Sequence, residues 1–167
     1  MTEIEKFFAG RERAREEFLY SEDLVRRYKK GMPHISPSWD TTPASISFND
    51  ICVSIRSSGL SIYSCKMDEL WAGLFKPSVY DADTLWSSDH DSAKIAKVID
   101  AWFKGTALSP IFLVKHGIYD QGLVADGKHR LTVSRTIEAL EVPFMAQTST
   151  AEWIARAFPK AICIHQA

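Results

Sequence analysis

Cysteine is scarce in this 167-residue chain: only Cys52, Cys65 and Cys163 occur, and they lie far apart. No CxxC pair and no Cys/His ligand spacing is present, which argues against a zinc site. Three widely spaced thiols fit reduced cysteines buried as small hydrophobes in a cytoplasmic protein. A run of 18 apolar residues is also missing, so no segment is expected to span a membrane. The opening stretch, "MTEIEKFFAGRERAREEF", carries charge from its third residue and has no apolar core, unlike a secretory signal. Charge of one sign is lacking too: 20 Lys and Arg against 21 Asp and Glu leave a net charge of −1. No overall field therefore recruits nucleic acid, and any such binding needs a local patch.

What is present is ordinary globular composition, 46% hydrophobic and 25% charged, in a chain long enough for a substantial core. Residues 3–30 read as one long helix, with a break expected near Gly10. Ile4, Phe7, Phe8, Ala14, Phe18, Leu24, Val25 and Tyr28 recur at three- and four-residue intervals. Eight basic and seven acidic residues fill the rest of it. Their interleaving favours a solvated face laced with i,i+4 pairs over a phosphate-tracking face. Residues 31–45 hold three prolines and read as a linker, with His34 and Trp39 as packing or surface residues.

Residues 45–70 alternate apolar and polar positions and suggest a hairpin turning at Ser57-Ser58-Gly59. "DSAKIAKVIDAWFKG" is a helix with Asp91 or Ser92 as its cap and Gly105 as its stop. That reading takes Asp89-His90-Asp91 as loop and cap rather than as metal ligands. "PIFLV" and "GLVA" are short buried strands joined by a turn. A helix follows to about residue 140, and "VPFMAQ" is a further strand. Ser149 and Glu152 have capping-box spacing for a last helix, and "AICIH" is one more strand. The fold class is α+β: a small mixed sheet with packed helices, extended by an N-terminal helix and hairpin. The division expected is an extension over residues 1–64 and a domain over 65–167.

"GLVADGKHRLTVSR" interrupts two apolar segments with Asp126-Gly127-Lys128-His129-Arg130. A strand, a glycine turn and a helix start put these residues where a helix presents unpaired N–H groups and the positive end of its dipole. Gly127 permits a sharp turn and close backbone approach to a ligand. Arg130 has the fork that grips phosphate oxygens, Lys128 adds charge, and His129 titrates near neutrality. Three cationic groups at a helix N-terminus are unfavourable without an anion, which points to a phosphate or carboxylate ligand.

The series "MDELWAGLFKPSVYD", a helix, and "SPIFLVKHGIYDQGLVADGKHRLTVSRTIEALEVPFMA" resembles the ParB/sulfiredoxin superfamily. Pro110-Ile111, Asp126-Gly127, His129-Arg130 and Val142-Pro143 carry the likeness, which spans about residues 65–147. It implies a nucleotide-phosphate site on Gly127, Lys128, His129, Arg130, Leu131 and Thr132, with ATP or CTP and Mg²⁺ as ligands. Sulfiredoxins need a cysteine just before the His-Arg pair, and Lys128 stands there instead. The helix-turn-helix of partition proteins is not recognisable. The DGxHR form is closest to free-serine-kinase-like members, whose base is a glutamate at the end of the first strand. Glu69 falls at that position, beside Asp68. The resemblance thus implies Glu69, Asp126 and His129 as catalytic groups, and Asp68 and Glu69 as Mg²⁺ ligands.

The expected function is a nucleotide-phosphate-binding protein, an NTPase or ATP-dependent kinase. One rival is a DNA-associated nuclease or binding factor from a phage or mobile-element context. The other is a non-enzymatic interaction module whose N-terminal helix and five tryptophans serve a partner or a homodimer.

Overall fold

The computed structural model describes residues 2–42, 55, 59–79, 85–87 and 90–166. Its first element is α1, Glu3–Lys30, unbroken through Gly10. The Thr2 side chain accepts from the Glu5 N–H, and Glu5 accepts from the Thr2 N–H, so a capping box starts this helix. Residues 31–42 then strap the chain to the body. Trp102 Nε1 donates to the Ser38 carbonyl at 2.9 Å, and the Trp39 ring meets the Trp102 ring at 5.2 Å. The expected first hairpin arm, residues 45–57, lies outside the described residues except for Ile55.

The stretch expected as the second arm forms a strand, β1, Leu60–Lys66, which pairs with strands later in the chain, and α2, Met67–Gly73, follows it. Next come a 3₁₀ turn at Lys76–Ser78 and α3, Ser92–Phe103. Then β2 (Ile111–Lys115), β3 (Gly122–Asp126), α4 (Lys128–Thr136) and β4 (Glu141–Gln147) follow. After a second 3₁₀ turn, α5 (Ala151–Ala157) and β5 (Ile162–His165) complete the order. Asp91 caps α3 as expected, accepting from the Lys94 N–H at 3.1 Å. The Ser149–Glu152 capping box does not form. Helix α5 begins two residues later, and Thr150 Oγ1 donates to the Gln147 carbonyl instead. Helix α4 stops at Thr136, short of residue 140, because its C-terminus closes with reverse bonds from Glu138 and Ala139.

The five strands form one mixed sheet in the order β3-β2-β4-β1-β5. β1 runs antiparallel to β4 and β5, β2 antiparallel to β3, and β2 parallel to β4. The fold is thus α+β, with an N-terminal helix. The proposed division at residue 64 falls inside β1, between its pairings of Ser64 with Pro143 and Cys65 with Val142.

Alternation along the strands sends two residue sets to opposite faces. One face, with Tyr63, Ile111, Val124 and Phe144, packs on α2 and α5 through Leu70, Leu74, Trp153 and Phe158. The other carries Leu60, Ile62, Phe112 and Met145. A separate cluster joins α1, α3 and α4 through Leu24, Tyr28, Ile95, Ile99 and Val133. Helix α4 links the clusters, since Leu131 belongs to the first and Val133 to the last. No described helix is long and apolar enough to cross a membrane.

Candidate functional site

Asp126 ends β3, and Gly127 turns the chain at φ 91° and ψ 16° into α4. A side chain cannot replace this glycine. A Cβ there would lie 2.8 Å from Ile111 Cγ2 and 3.0 Å from Arg130 Nη2. The glycine thus serves close approach to β2, and Gly127 itself is buried. The N–H groups opening α4 have no acceptor within the helix until Leu131 N–H reaches the Gly127 carbonyl at 2.9 Å.

A cleft of about 320 Å³ opens at this point, lined by Lys94, Val98, Asp126, Gly127, His129 and Arg130. Lys94 comes from the first turn of α3, so two helix starts meet at one cleft. Arg130 Nη2 pairs with Asp126 Oδ2 at 2.8 Å and also donates to the Pro110 carbonyl at 3.4 Å. Its side chain is 17% exposed, and its buried Nε finds no acceptor among the described residues. Burial holds the His129 imidazole below its ordinary value, and the Lys94 charge pushes the same way. His90 and Arg130 add to this shift, and Asp91 opposes it.

The other expected phosphate ligands are placed differently. Lys128 does not line the cleft. Leu131 and Thr132 are both 1% exposed; Leu131 is core, and the Thr132 hydroxyl donates to the Lys128 carbonyl at 2.8 Å. Their side chains face the interior because they lie on the body side of α4, so neither presents a group to a ligand.

The structure does not bring Glu69 or Asp68 to this cleft. β1 ends at Lys66, which pairs with Glu141 at the start of β4. Asp126 pairs with Phe112, whose neighbour on β4 is Met145. The two sites are therefore about 13 Å apart along the strands and three strand spacings, about 14 Å, across them. Glu69 Oε1 accepts from the Lys160 N–H at 2.6 Å. Asp68 lines a separate cavity of about 520 Å³ with Lys66, Arg135, Glu138 and Glu141. Beside that cavity the Arg135 guanidinium lies 3.5 Å from the Trp71 ring centre, and Lys76 also reaches that ring. Burial, and then the Arg135 charge, lowers the Lys76 ammonium from its ordinary value.

Among the described residues no group of three His, Cys, Asp or Glu is placed to hold a metal. No protein-family model matches this chain, and neither a characterised protein nor a solved structure matches it. Its chemistry is therefore read from its own residues. Cys65 is buried, and burial first, then the Glu69 charge, pushes its thiol up to about 12. Of the α1 bases, Lys6 pairs with Glu3, and Arg26 and Arg27 with Asp23. Lys94 is the cleft residue that sequence reasoning missed. The Asp91 cap placed it in a first helical turn, but no local signal shows that α3 and α4 begin side by side.

Proposed function

We propose that the cleft between the starts of α3 and α4 binds the phosphate of a nucleotide. The observation that supports this reading is the gathering of Lys94, His129 and Arg130 where two helix N-termini meet, with Asp126 as the one carboxylate among the described residues that line the cleft. Helix N–H groups and Lys94 hold the phosphate, and Asp126 orients the Arg130 fork. His129, kept neutral by burial, is the group suited to accept a proton from an attacking hydroxyl or water. Asp126 is engaged by Arg130.

A resident Mg²⁺ does not fit, because Asp68 lines another cavity, Glu69 accepts from the Lys160 N–H, and Asp126 is held in an ion pair. The metal enters this reading only as part of a nucleotide–Mg²⁺ substrate. The activity proposed is an NTPase or ATP-dependent phosphotransferase on a scaffold of ParB/sulfiredoxin type. The order β1, α2, α3, β2, β3, glycine turn, α4, β4 supports that scaffold. An entirely DNA-tracking role has less support, since the α1 bases are interleaved with acids and the net charge is −1.

Thermal shift with ATP, ADP and CTP, with and without Mg²⁺, tests the reading. At about a hundred times its Kd a nucleotide raises Tm by about 5–10 °C. Lys94→Ala, at an exposed position, is expected to reduce the shift while leaving the unliganded Tm unchanged. Absence of any shift at millimolar nucleotide rejects it.

A further inference from the structure

Helix α1 carries two apolar stripes, and the body covers only one. Ser21, Leu24 and Tyr28 are buried. On the same side Glu17 pairs with Lys97 and Tyr20 bonds Asp100, both on α3. Ile4, Phe7, Phe8, Phe18 and Leu19 are 68%, 61%, 61%, 63% and 56% exposed. At 100° per residue, this second stripe lies roughly 140° around the helix from the α3-facing one. A single chain thus leaves large apolar side chains in water along a 28-residue helix about 42 Å long. An amphipathic segment of this kind normally takes its stability from packing.

We propose that this stripe packs antiparallel against the same stripe of a second copy of the chain. Charge selects the register. Helix α1 has Glu3 and Glu5 in its first turn and Arg27, Lys29 and Lys30 in its last. Arg11 and Arg15 sit in the middle of the exposed stripe, where parallel in-register pairing sets each against its own copy. The antiparallel register that opposes residues 11 and 22 removes this repulsion. It sets Arg11 against Glu22, both on the stripe's centre line, with the two-fold axis between residues 16 and 17. Phe18 and Leu19 of both copies then meet beside the axis, with Arg15 lying over Phe18. A membrane surface is the weaker occupant. Residues 3–19 carry five acids and four bases, giving no cationic face for anionic lipid. This inference is independent of the cleft.

Sedimentation of the full chain at about 100 μM tests it, well above a Kd of about 10 μM for a helix-pair dimer. The wild type should sediment as a predominantly dimeric species, with about 80% of chains in the dimer at that Kd. Phe18→Glu and Phe8→Glu should be monomeric with unchanged far-UV circular dichroism, since both positions are exposed. Arg11→Glu and Glu22→Arg should each weaken the dimer at least about tenfold, and the double variant should restore it to within about threefold. A monomeric wild type overturns the proposal. So does a dimer that survives Phe18→Glu, or single charge variants that weaken a dimer their combination does not rescue. Co-sedimentation of a monomer with phosphatidylserine–phosphatidylcholine vesicles would assign the stripe to a lipid surface and likewise overturn it.

Discussion

Two helices of this protein end in the same way with different residues. α3 closes with Gly105 N–H bonding the Trp102 carbonyl and Thr106 N–H the Ala101 carbonyl. α4 closes identically, with Glu138 N–H to Arg135 and Ala139 N–H to Ser134. The pivot residue must be left-handed, and Gly105 takes φ 74° without cost while Glu138 is forced to φ 56°. Glu138→Gly is therefore expected to stabilise the protein by about 1 kcal/mol, read as a shifted urea midpoint with unchanged slope. The opposite case is Gly127→Ala. Strain at φ 91° and the contact with Ile111 should cost about 2 kcal/mol or more in the same assay.

Where helix α1 packs on α3, a buried carboxylate takes three hydrogen bonds. Asp100, 6% exposed, accepts from Tyr28 at 2.7 Å, Tyr20 at 3.0 Å and Lys104 at 2.6 Å. Burial alone would raise its pKa, but the bonds from Lys104, Tyr28 and Tyr20 prevail and hold it below the usual carboxylate range. A depressed carboxylate stabilises the fold above its unfolded value, and that contribution is lost as pH falls through the folded value. The stability of wild type should thus approach that of Asp100→Asn below about pH 4. On the alkaline side, burial and then Asp100 push the Tyr28 hydroxyl up to about 12. Stability should therefore fall as pH rises from the ordinary tyrosine range toward that value. Packing along the same helix divides sharply. Leu24→Ala should cost about 2–5 kcal/mol, whereas Phe8→Ala should change the stability of the monomer by no more than about 0.5 kcal/mol.

Across the whole molecule, the sheet cluster and the α1–α3 cluster share α4, through Leu131 and Val133. Neither can open without disturbing the helix that carries the cleft. One calorimetric transition is therefore expected, with van't Hoff and calorimetric enthalpies equal. Two resolved transitions would show that α1 and α3 unfold separately from the sheet. The cleft is a product of this coupling, since Lys94 stands on the α1–α3 side and Asp126 on the sheet.

Local chemistry made much of the fold legible. Asp91 capped α3, Gly105 ended it, "PIFLV" and "GLVA" became β2 and β3, and "DGKHR" opened α4 at a glycine turn. Each of these depends on backbone preferences within a few residues. The capping box at Thr2 and Glu5 was equally local and was passed over, while the one expected at Ser149 gave way to a 3₁₀ turn. Tertiary structure alone decided the contents of the site. The order β3-β2-β4-β1-β5 carried Glu69 and Asp68 away from the turn and brought Lys94 to it. It also turned Leu131 and Thr132 inward and tied Arg130 to Asp126. Those outcomes follow from which strand ends and helix starts meet once apolar faces are buried, and that depends on pairings between residues distant in the chain.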